Sequence, residues 1–119
     1  MAGNQETGQA GQKTAEDFLV KKGCKILARN FRAKPGEVDL IVKDGEYTVF
    51  VEVKCRKGLA YGLPREAVGG VKQRRIVNTA MYYLARHGLT DTDVRFDVVE
   101  VLLQNGQVYI CHIEDAFGG

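Results

Sequence analysis

The sequence has few of the features that mark membrane, secreted or zinc-binding proteins. No apolar run reaches the roughly 18 residues that a membrane span needs. The first residues, MAGNQETGQAGQK, contain no apolar stretch, so we expect no secretory signal and no membrane partner. The three cysteines, Cys24, Cys55 and Cys111, are odd in number and widely spaced, which argues against a disulfide framework and for the reducing cytoplasm. With two His and no C-x-x-C motif, a structural zinc site is not expected.

The composition indicates a single soluble globular domain. The chain has 119 residues, of which 45% are hydrophobic and 27% charged. Residues 1–11 are rich in Gly, Gln, Asn and Thr and are predicted to be a flexible tail, which leaves 12–119 as the domain.

Apolar periodicity and turn signals predict the element order αβββαββ. Asp44-Gly45 and Asn105-Gly106 each separate two β-rich runs, which is the strongest short-range hairpin signal. Residues 55–63 are predicted to form a loop and 64–68 a short turn. The spacing predicts helices over 13–22 and 71–86 and strands over 24–31, 37–43, 46–54, 94–103 and 107–113. This order predicts an α/β domain with five strands and two main helices.

The net charge of +2 conceals four blocks of alternating sign. Residues 21–34 carry six Lys or Arg and no acid, and 54–75 carry seven bases against one Glu. Residues 35–53 sum to −4 and 87–119 to −5. Each block is compatible with an ordinary solvated surface. Two basic blocks around an acidic one would also suit a polyanion whose phosphate is held through a divalent metal.

The first hairpin brings four charged side chains together on one face. A two-residue turn at Asp44-Gly45 would set Glu37 opposite Glu52, with Asp39 a diagonal neighbour about 7–8 Å from Glu52 at the backbone. Lys54 follows on the same face. The other face is apolar and carries Val38, Leu40, Val42, Tyr47, Val49 and Val51. A β-bulge would flip part of this register.

These carboxylates favour a hard divalent cation. Two carboxylates held together repel one another, and Mg²⁺ or Mn²⁺ would relieve the repulsion and also bind a substrate phosphate. A lysine beside the ion could orient water or neutralise developing charge, which is the chemistry of phosphodiester hydrolysis. A solvent-facing strand end with ordinary charge alternation remains the alternative.

The run GEVDLIVKDGEYTVFVEVKCR resembles the D-x(n)-E-x-K core of the PD-(D/E)xK nuclease superfamily. Together with AEDFLVKKGCKILARNFR, KQRRI and RFDVVEV it resembles the YraN family of bacterial endonuclease-like proteins over about residues 11–113. That family is distantly similar to archaeal Holliday junction resolvases. The resemblance implies a restriction-endonuclease-like α/β fold with a mixed five-stranded central sheet flanked by helices. It also implies a DNA endonuclease that depends on Mg²⁺ or Mn²⁺, with branched DNA among its candidate substrates.

The resemblance assigns catalytic roles to Asp39, Glu52, Lys54 and Glu37. Asp39 and Glu52 would bind the metal, Lys54 would act on water or phosphate, and Glu37 would lie beside them. One departure stands at Gly11-Gln12, where the family commonly has Gly-Glu and related resolvases use a helix Glu as a metal ligand. Glu16, one turn further on, is a candidate replacement because i and i+4 share a helix face.

Residues of the basic segments are expected to contact DNA, although solvated surface charge is an open alternative. A homodimer is implied, because resolvases of branched DNA cut two strands. The predicted nucleic-acid contacts are Arg29, Arg32, Arg56, Lys57, Lys72, Gln73 and Arg75. Two other function classes stay open: a catalytically inactive nucleic-acid-binding module, favoured by Gln12, and a protein-interaction domain that uses the exposed end of the terminal hairpin.

Overall fold

The computed structural model describes residues 2–57 and 69–118, which form two helices and five strands in the order αβββαββ. The predicted element order is confirmed. The elements are α1 (Ala2–Lys21), β1 (Lys25–Ala33), β2 (Gly36–Asp44), β3 (Tyr47–Lys57), α2 (Gly70–Arg86), β4 (Asp93–Gln104) and β5 (Gln107–Ile113). No helix in this described part of the chain is long and apolar enough to cross a membrane.

The strands form one mixed sheet with the order β1-β2-β3-β4-β5. Tight hairpin turns make β2–β3 and β4–β5 antiparallel, and β1 also pairs antiparallel with β2. Strands β3 and β4 are parallel, which requires a crossover connection, and α2 lies in that connection. The predicted mixed sheet flanked by helices is therefore confirmed.

Helix α2 covers one face of the sheet. Its buried residues recur at helical spacing, which gives the helix one apolar stripe. This stripe and the sheet form a cluster of buried side chains: Val38, Ile41, Phe50, Ile76, Ala80, Tyr83, Leu84, Phe96 and Val98.

Helix α1 covers the opposite face, so the sheet lies between two helical layers. The second cluster consists of Ala15, Leu19, Cys24, Leu40, Val42, Val49, Val51, Val99 and Val101. The contact is close at Gly11, where an added Cβ would lie 2.8 Å from the Cβ of Cys55. Only glycine permits this approach of helix to strand.

The start of α1 differs from the prediction. The helix begins at Ala2, so residues 2–11, predicted as a flexible tail, are helical in this structure. The segment contains no proline to stop the helix that Ala15 and Leu19 anchor, although its three glycines disfavour helical structure. Strand β3 likewise extends through Lys57, into the predicted loop 55–63. The rest of that loop and the predicted turn at 64–68 lie outside the described residues.

The first hairpin turn is displaced by one residue from the predicted position. Asp44 pairs with Tyr47, so the turn residues are Gly45, at φ +59°, and Glu46. Glycine at the first turn position suits a two-residue hairpin loop. Every cross-strand partner from Leu40 to Asp44 therefore shifts by two residues, so that Leu40 pairs with Val51 and not with Val49. The register that predicted Glu37 opposite Glu52 is therefore wrong.

The alternation of side chains breaks at Asp39. Val38 packs in the α2 cluster, whereas Leu40 and Val42 pack in the α1 cluster, so the three do not share one face as predicted. Opposite this point, Asn30 of β1 has a φ of +50°. The Asp39 Oδ2 atom accepts a hydrogen bond of 2.8 Å from the Val53 N–H. The Asp39 carboxylate therefore accepts a hydrogen bond from the main chain of β3 at the point where the alternation of β2 breaks.

A buried ionic network closes the opposite end of the sheet. Asp97 has no exposed surface and accepts hydrogen bonds from Arg95, from His112 Nε2 at 2.7 Å and from the Asp115 N–H at 2.9 Å. Lys22 Nζ lies 2.9 Å from His112 Nδ1, and because lysine only donates, His112 carries its proton on Nε2. Burial would raise the pKa of Asp97, but these donors outweigh it and hold that pKa below the usual range. The network ties α1, β4 and β5 together.

We predict that Asp97→Asn lowers the free energy of unfolding at pH 7 by about 2–4 kcal/mol, because it breaks a buried ion pair. A lowered carboxyl pKa adds stability above the unfolded pKa that is lost as the pH falls through the folded value. The difference between wild type and variant should therefore shrink below about pH 4. Urea unfolding at several pH values measures both effects. The exposed Asp93→Asn is the matched control, and an equal loss in the control would contradict the prediction.

Candidate active site

An open cleft of about 1020 Å³ lies at the end of the sheet where β2 begins, between α1 and the first turn of α2. Five basic and four acidic side chains line it among the residues that the structure describes. Its floor is formed by Asp39 of β2 and by Glu52 and Lys54 of β3. Three of the four predicted catalytic residues thus lie together at its base.

The carboxyl groups of Asp39 and Glu52 are in contact. Glu52 is almost fully buried, with 5% of its surface exposed. Burial and the charge of Glu52 raise the pKa of Asp39 to about 7, although the Val53 N–H and Lys72 act in the opposite direction. Asp39 therefore loses its proton less readily than an ordinary carboxyl group, because a second carboxylate lies next to it in a buried position.

Two lysines compensate this acidic pair. Lys72, in the first turn of α2, places its Nζ 3.0 Å from Oε1 of Glu52. Lys54 lies beside Lys72, and burial, followed by this neighbouring ammonium, lowers the pKa of Lys54. Burial would also lower the pKa of Lys72, but the hydrogen bond to Glu52 outweighs it and raises that pKa. Lys54 is thus the lysine that gives up a proton more readily.

Glu37 lies at the rim of the cleft and not beside Glu52. Its Oε2 atom accepts a hydrogen bond of 2.9 Å from Nε of Arg32, its partner across the β1–β2 pair. The hairpin register that predicted Glu37 opposite Glu52 is displaced by two residues in the structure.

The helix side of the cleft carries the amide of Gln12, at the position where the resemblance implied a carboxylate. Gln12 Nε2 hydrogen-bonds to Oδ1 of Asn30 at 3.0 Å and lies 3.4 Å from the main-chain oxygen of Asp39. Glu16, the candidate replacement, binds Arg29 through both oxygens at 2.7 and 2.9 Å. The hydrogen bond from Arg29 holds the pKa of Glu16 below its usual range. Both carboxylate oxygens of Glu16 are therefore engaged in the ion pair with Arg29.

The predicted DNA-contacting residues differ in their position relative to the cleft and in their ion pairs. Arg29, Arg32 and Lys72 line the cleft, and Arg75 lines an adjoining cavity at the start of α2. Lys57 is exposed at the end of β3, and Gln73 does not line either cavity. Four of these side chains are bound to carboxylates: Arg29 to Glu16, Arg32 to Glu37, Arg56 to Glu100 and Lys72 to Glu52. Much of the predicted positive charge is therefore already neutralised within the protein.

Two features of the site were missed by the sequence reasoning. Lys72 was expected to contact phosphate, and its ion pair with Glu52 was not foreseen. Glu100 was not singled out, although it is buried on β4 and binds Arg56 at 3.0 Å, and its Oε2 atom has no hydrogen-bond partner among the residues that the structure describes. The parallel register pairs Glu100 with Lys54, so knowledge of that strand pairing would have drawn attention to it.

Asp39 and Glu52 are the two carboxylates that the sequence predicted as metal ligands. In residues 2–57 and 69–118, no group of three or more His, Cys, Asp or Glu side chains is arranged to hold a metal ion. Further ligands would have to come from water, main-chain oxygens or substrate, as is common for Mg²⁺.

Fold and site together define an α/β domain with an Asp–Glu–Lys cluster of the D-x(n)-E-x-K type at one end of its sheet. The chain belongs to the family described as "Uncharacterised protein family UPF0102", which matches residues 11–101. This confirms the resemblance to the YraN family.

Several bacterial proteins are similar over nearly the whole chain. A UPF0102 protein of Trichlorobacter lovleyi is 49% identical over 117 residues, which cover 97% of this chain and 92% of the relative. The UPF0102 protein STH1475 of Symbiobacterium thermophilum is 51% identical over 98 residues, 82% of this chain and 83% of the relative. Among solved structures, Pyrococcus furiosus SfsA in complex with Ca²⁺ is similar with a TM-score of 0.43 and 18% identity, over 93% of this chain and 63% of that one.

We predict that Asp39→Asn stabilises the metal-free protein by about 1–2 kcal/mol at pH 8. A raised carboxyl pKa means that the folded state binds the proton more tightly, so stability falls as the pH rises from about 4 to about 7. Asparagine still accepts the hydrogen bond from the Val53 N–H, but it does not ionise, so the loss of stability between about pH 4 and pH 7 disappears.

Thermal unfolding in EDTA at pH 5 and pH 8 tests the prediction, with the exposed Asp91→Asn as the matched control. The gain should be larger at pH 8 than at pH 5. Destabilisation of equal size at both pH values would instead mean that Asp39 is primarily a structural acceptor.

Proposed function

We propose that this protein is a metal-dependent DNA endonuclease that hydrolyses phosphodiester bonds, with branched DNA among its substrates. The observation that carries the proposal is the contact of Asp39 with Glu52 at the base of an open cleft, with Lys54 beside them. Such a group has no evident use in stabilising the fold, because burial and like charge both act against it. It does suit a site that receives a cation and a phosphate.

The residues present fit Mg²⁺ or Mn²⁺. Both ligands are hard oxygen donors, and a cation between them would relieve the repulsion that raises the pKa of Asp39. Asp39 and Glu52 would hold the ion. When bound, it supplies positive charge that stabilises the charge developing on a phosphoryl group and favours ionisation of an attacking water.

Other groups in and around the cleft would position the attacking water, the Asp39 carboxylate and the DNA backbone. Lys54 Nζ, with its lowered pKa, would orient the attacking water and exchange a proton with it. The Val53 N–H keeps the Asp39 carboxylate in position through its hydrogen bond of 2.8 Å. Arg75 and Lys57 would contact the phosphate backbone on either side of the cleft, since both are exposed basic residues of the predicted interface.

Two accompanying proposals follow from the same assignment. The protein would act in the cytoplasm, where its three cysteines stay reduced. A homodimer would provide two sites for cutting two strands of a branched substrate.

A catalytically inactive DNA-binding module is the second candidate. Gln12 stands where the family commonly has a carboxylate, and Glu16 is bound to Arg29. In that case the cleft would bind DNA without completing a metal site.

We predict metal-dependent cleavage of linear, nicked or four-way-junction DNA that stops in EDTA. Glu52→Gln removes a metal ligand and should abolish cleavage, and Lys54→Ala should slow it by about 10²–10⁴-fold, the usual contribution of proton transfer. The controls are Glu46→Gln and Lys43→Ala, exposed positions on the same hairpin that should retain full activity.

The other outcomes separate the alternatives. Cleavage that persists in both site variants would come from a contaminant or another site. Salt-sensitive DNA binding without cleavage would favour the inactive module and make Gln12→Glu the next variant. Neither cleavage nor binding would favour the protein-interaction domain.

We further predict that Arg75→Gln reduces the slope of log K against log salt for DNA binding by about 1, because one phosphate contact is lost. Arg86→Gln, the same substitution in the last turn of α2, should leave the slope unchanged. Fluorescence anisotropy at several salt concentrations provides the slopes. An equal decrease for both variants would indicate a general charge effect and not a contact at the cleft.

A further inference from the structure

Lys72 occupies the position on Glu52 that a divalent cation would need. Its Nζ lies 3.0 Å from Oε1 of Glu52. Glu52 is fixed, since only 5% of its side chain is exposed, whereas 46% of the Lys72 side chain is exposed. One partner of this ion pair is thus anchored in the core and the other is accessible to solvent.

The carboxylate pair holds Lys72 in a place that is otherwise unfavourable for a cation. Lys72 lies in the first turn of α2, which contains no acidic residue, and the N-terminus of a helix repels positive charge. The hydrogen bond to Glu52 is the strongest attraction that offsets this repulsion, followed by the contact with Lys54 and the charge of Asp39. Neutralisation of Glu52 and Asp39 by another cation would remove most of the attraction that holds Lys72 there.

The surroundings leave Lys72 room to move. It lines both the main cleft and the adjoining cavity that contains Gly70 and Arg75. These two spaces meet at Asp39 and Glu52, which also line both. An ammonium group that leaves Glu52 therefore remains at the edge of the space where a phosphate would bind.

We propose that Lys72 is a displaceable counterion: it neutralises Glu52 in the metal-free protein, is displaced when a divalent cation binds, and then contacts the DNA phosphate. This inference rests on the proposed function, since it concerns the same site. It makes Lys72 a determinant of metal affinity in addition to a phosphate contact. Lys54, which projects from the strand, stays in place.

Titration of Mn²⁺ into the DNA-free protein, followed by calorimetry, tests the first step. Lys72→Gln should bind Mn²⁺ about two- to fivefold more tightly than wild type, as expected for loss of a partly exposed ion pair. Lys72→Arg should bind it more weakly than wild type, because a guanidinium binds a carboxylate more firmly. The control Arg74→Gln removes the same charge from the same helix without lining the cleft, and it should match wild type.

DNA binding tests the second step. Lys72→Gln should weaken DNA binding in the presence of Mn²⁺ and leave it almost unchanged in EDTA, where Lys72 stays on Glu52. Anisotropy readings taken before detectable cleavage give both affinities. Weakening of the same size with and without metal would overturn the displacement step.

The remaining outcomes distinguish this inference from the proposed function. Mn²⁺ affinity that is unchanged or lower in Lys72→Gln would overturn the inference and leave the metal site in place. If neither protein binds Mn²⁺ without DNA but cleavage still requires metal, the inference fails and the nuclease stands. If neither metal binding nor cleavage occurs, both fail.

Discussion

The contact between Asp39 and Glu52 is the constraint around which this end of the molecule is organised. Burial, followed by the repulsion between the two carboxyl groups, raises the pKa of Asp39 to about 7. Each neighbouring group reduces this cost: the Val53 N–H binds Asp39, and Lys72 binds Glu52. Since the fold gains nothing from the pair itself, the surrounding groups are best understood as the means of keeping it in place.

The two helical layers are needed to assemble the site as well as to cover the sheet. Packing of Ala15 and Leu19 against the sheet fixes α1, so that Gln12 and Glu16 face the cleft. On the other face, Ile76 is buried one turn after Lys72 and fixes the start of α2 against the sheet. The ionic network around Asp97 secures the far end of α1 through Lys22 and His112. Stability is thus concentrated away from the cleft, and the unfavourable contacts are concentrated within it.

The order of elements could be predicted from the sequence because hairpin turns and helix periodicity are local signals. Glu52 and Lys54 could be predicted to lie together because side chains alternate along β3. The pairing of β2 with β3 could not, because a turn displaced by one residue shifted every partner from Leu40 to Asp44 by two. Asp39 lies near Glu52 as predicted, although the alternation on which that prediction relied breaks at Asp39. The break after Val38 and the ion pairs of Lys72, Arg29 and Arg56 are tertiary contacts between segments distant in sequence, and no local pattern specifies them.

Charge pairing within the cleft has a consequence for how the proposed nuclease would bind its ligands. The basic side chains that line the cleft are largely matched by acidic ones, so the metal-free cleft offers little net attraction to a polyanion. A divalent cation held by Asp39 and Glu52 would make the cleft cationic and release Lys72 for phosphate. Metal and DNA would then each strengthen binding of the other by the same factor, as thermodynamic linkage requires. Ion pairs such as Lys72–Glu52 would weaken DNA binding by the metal-free cleft. Because metal binding would break that pair, DNA binding would depend on metal.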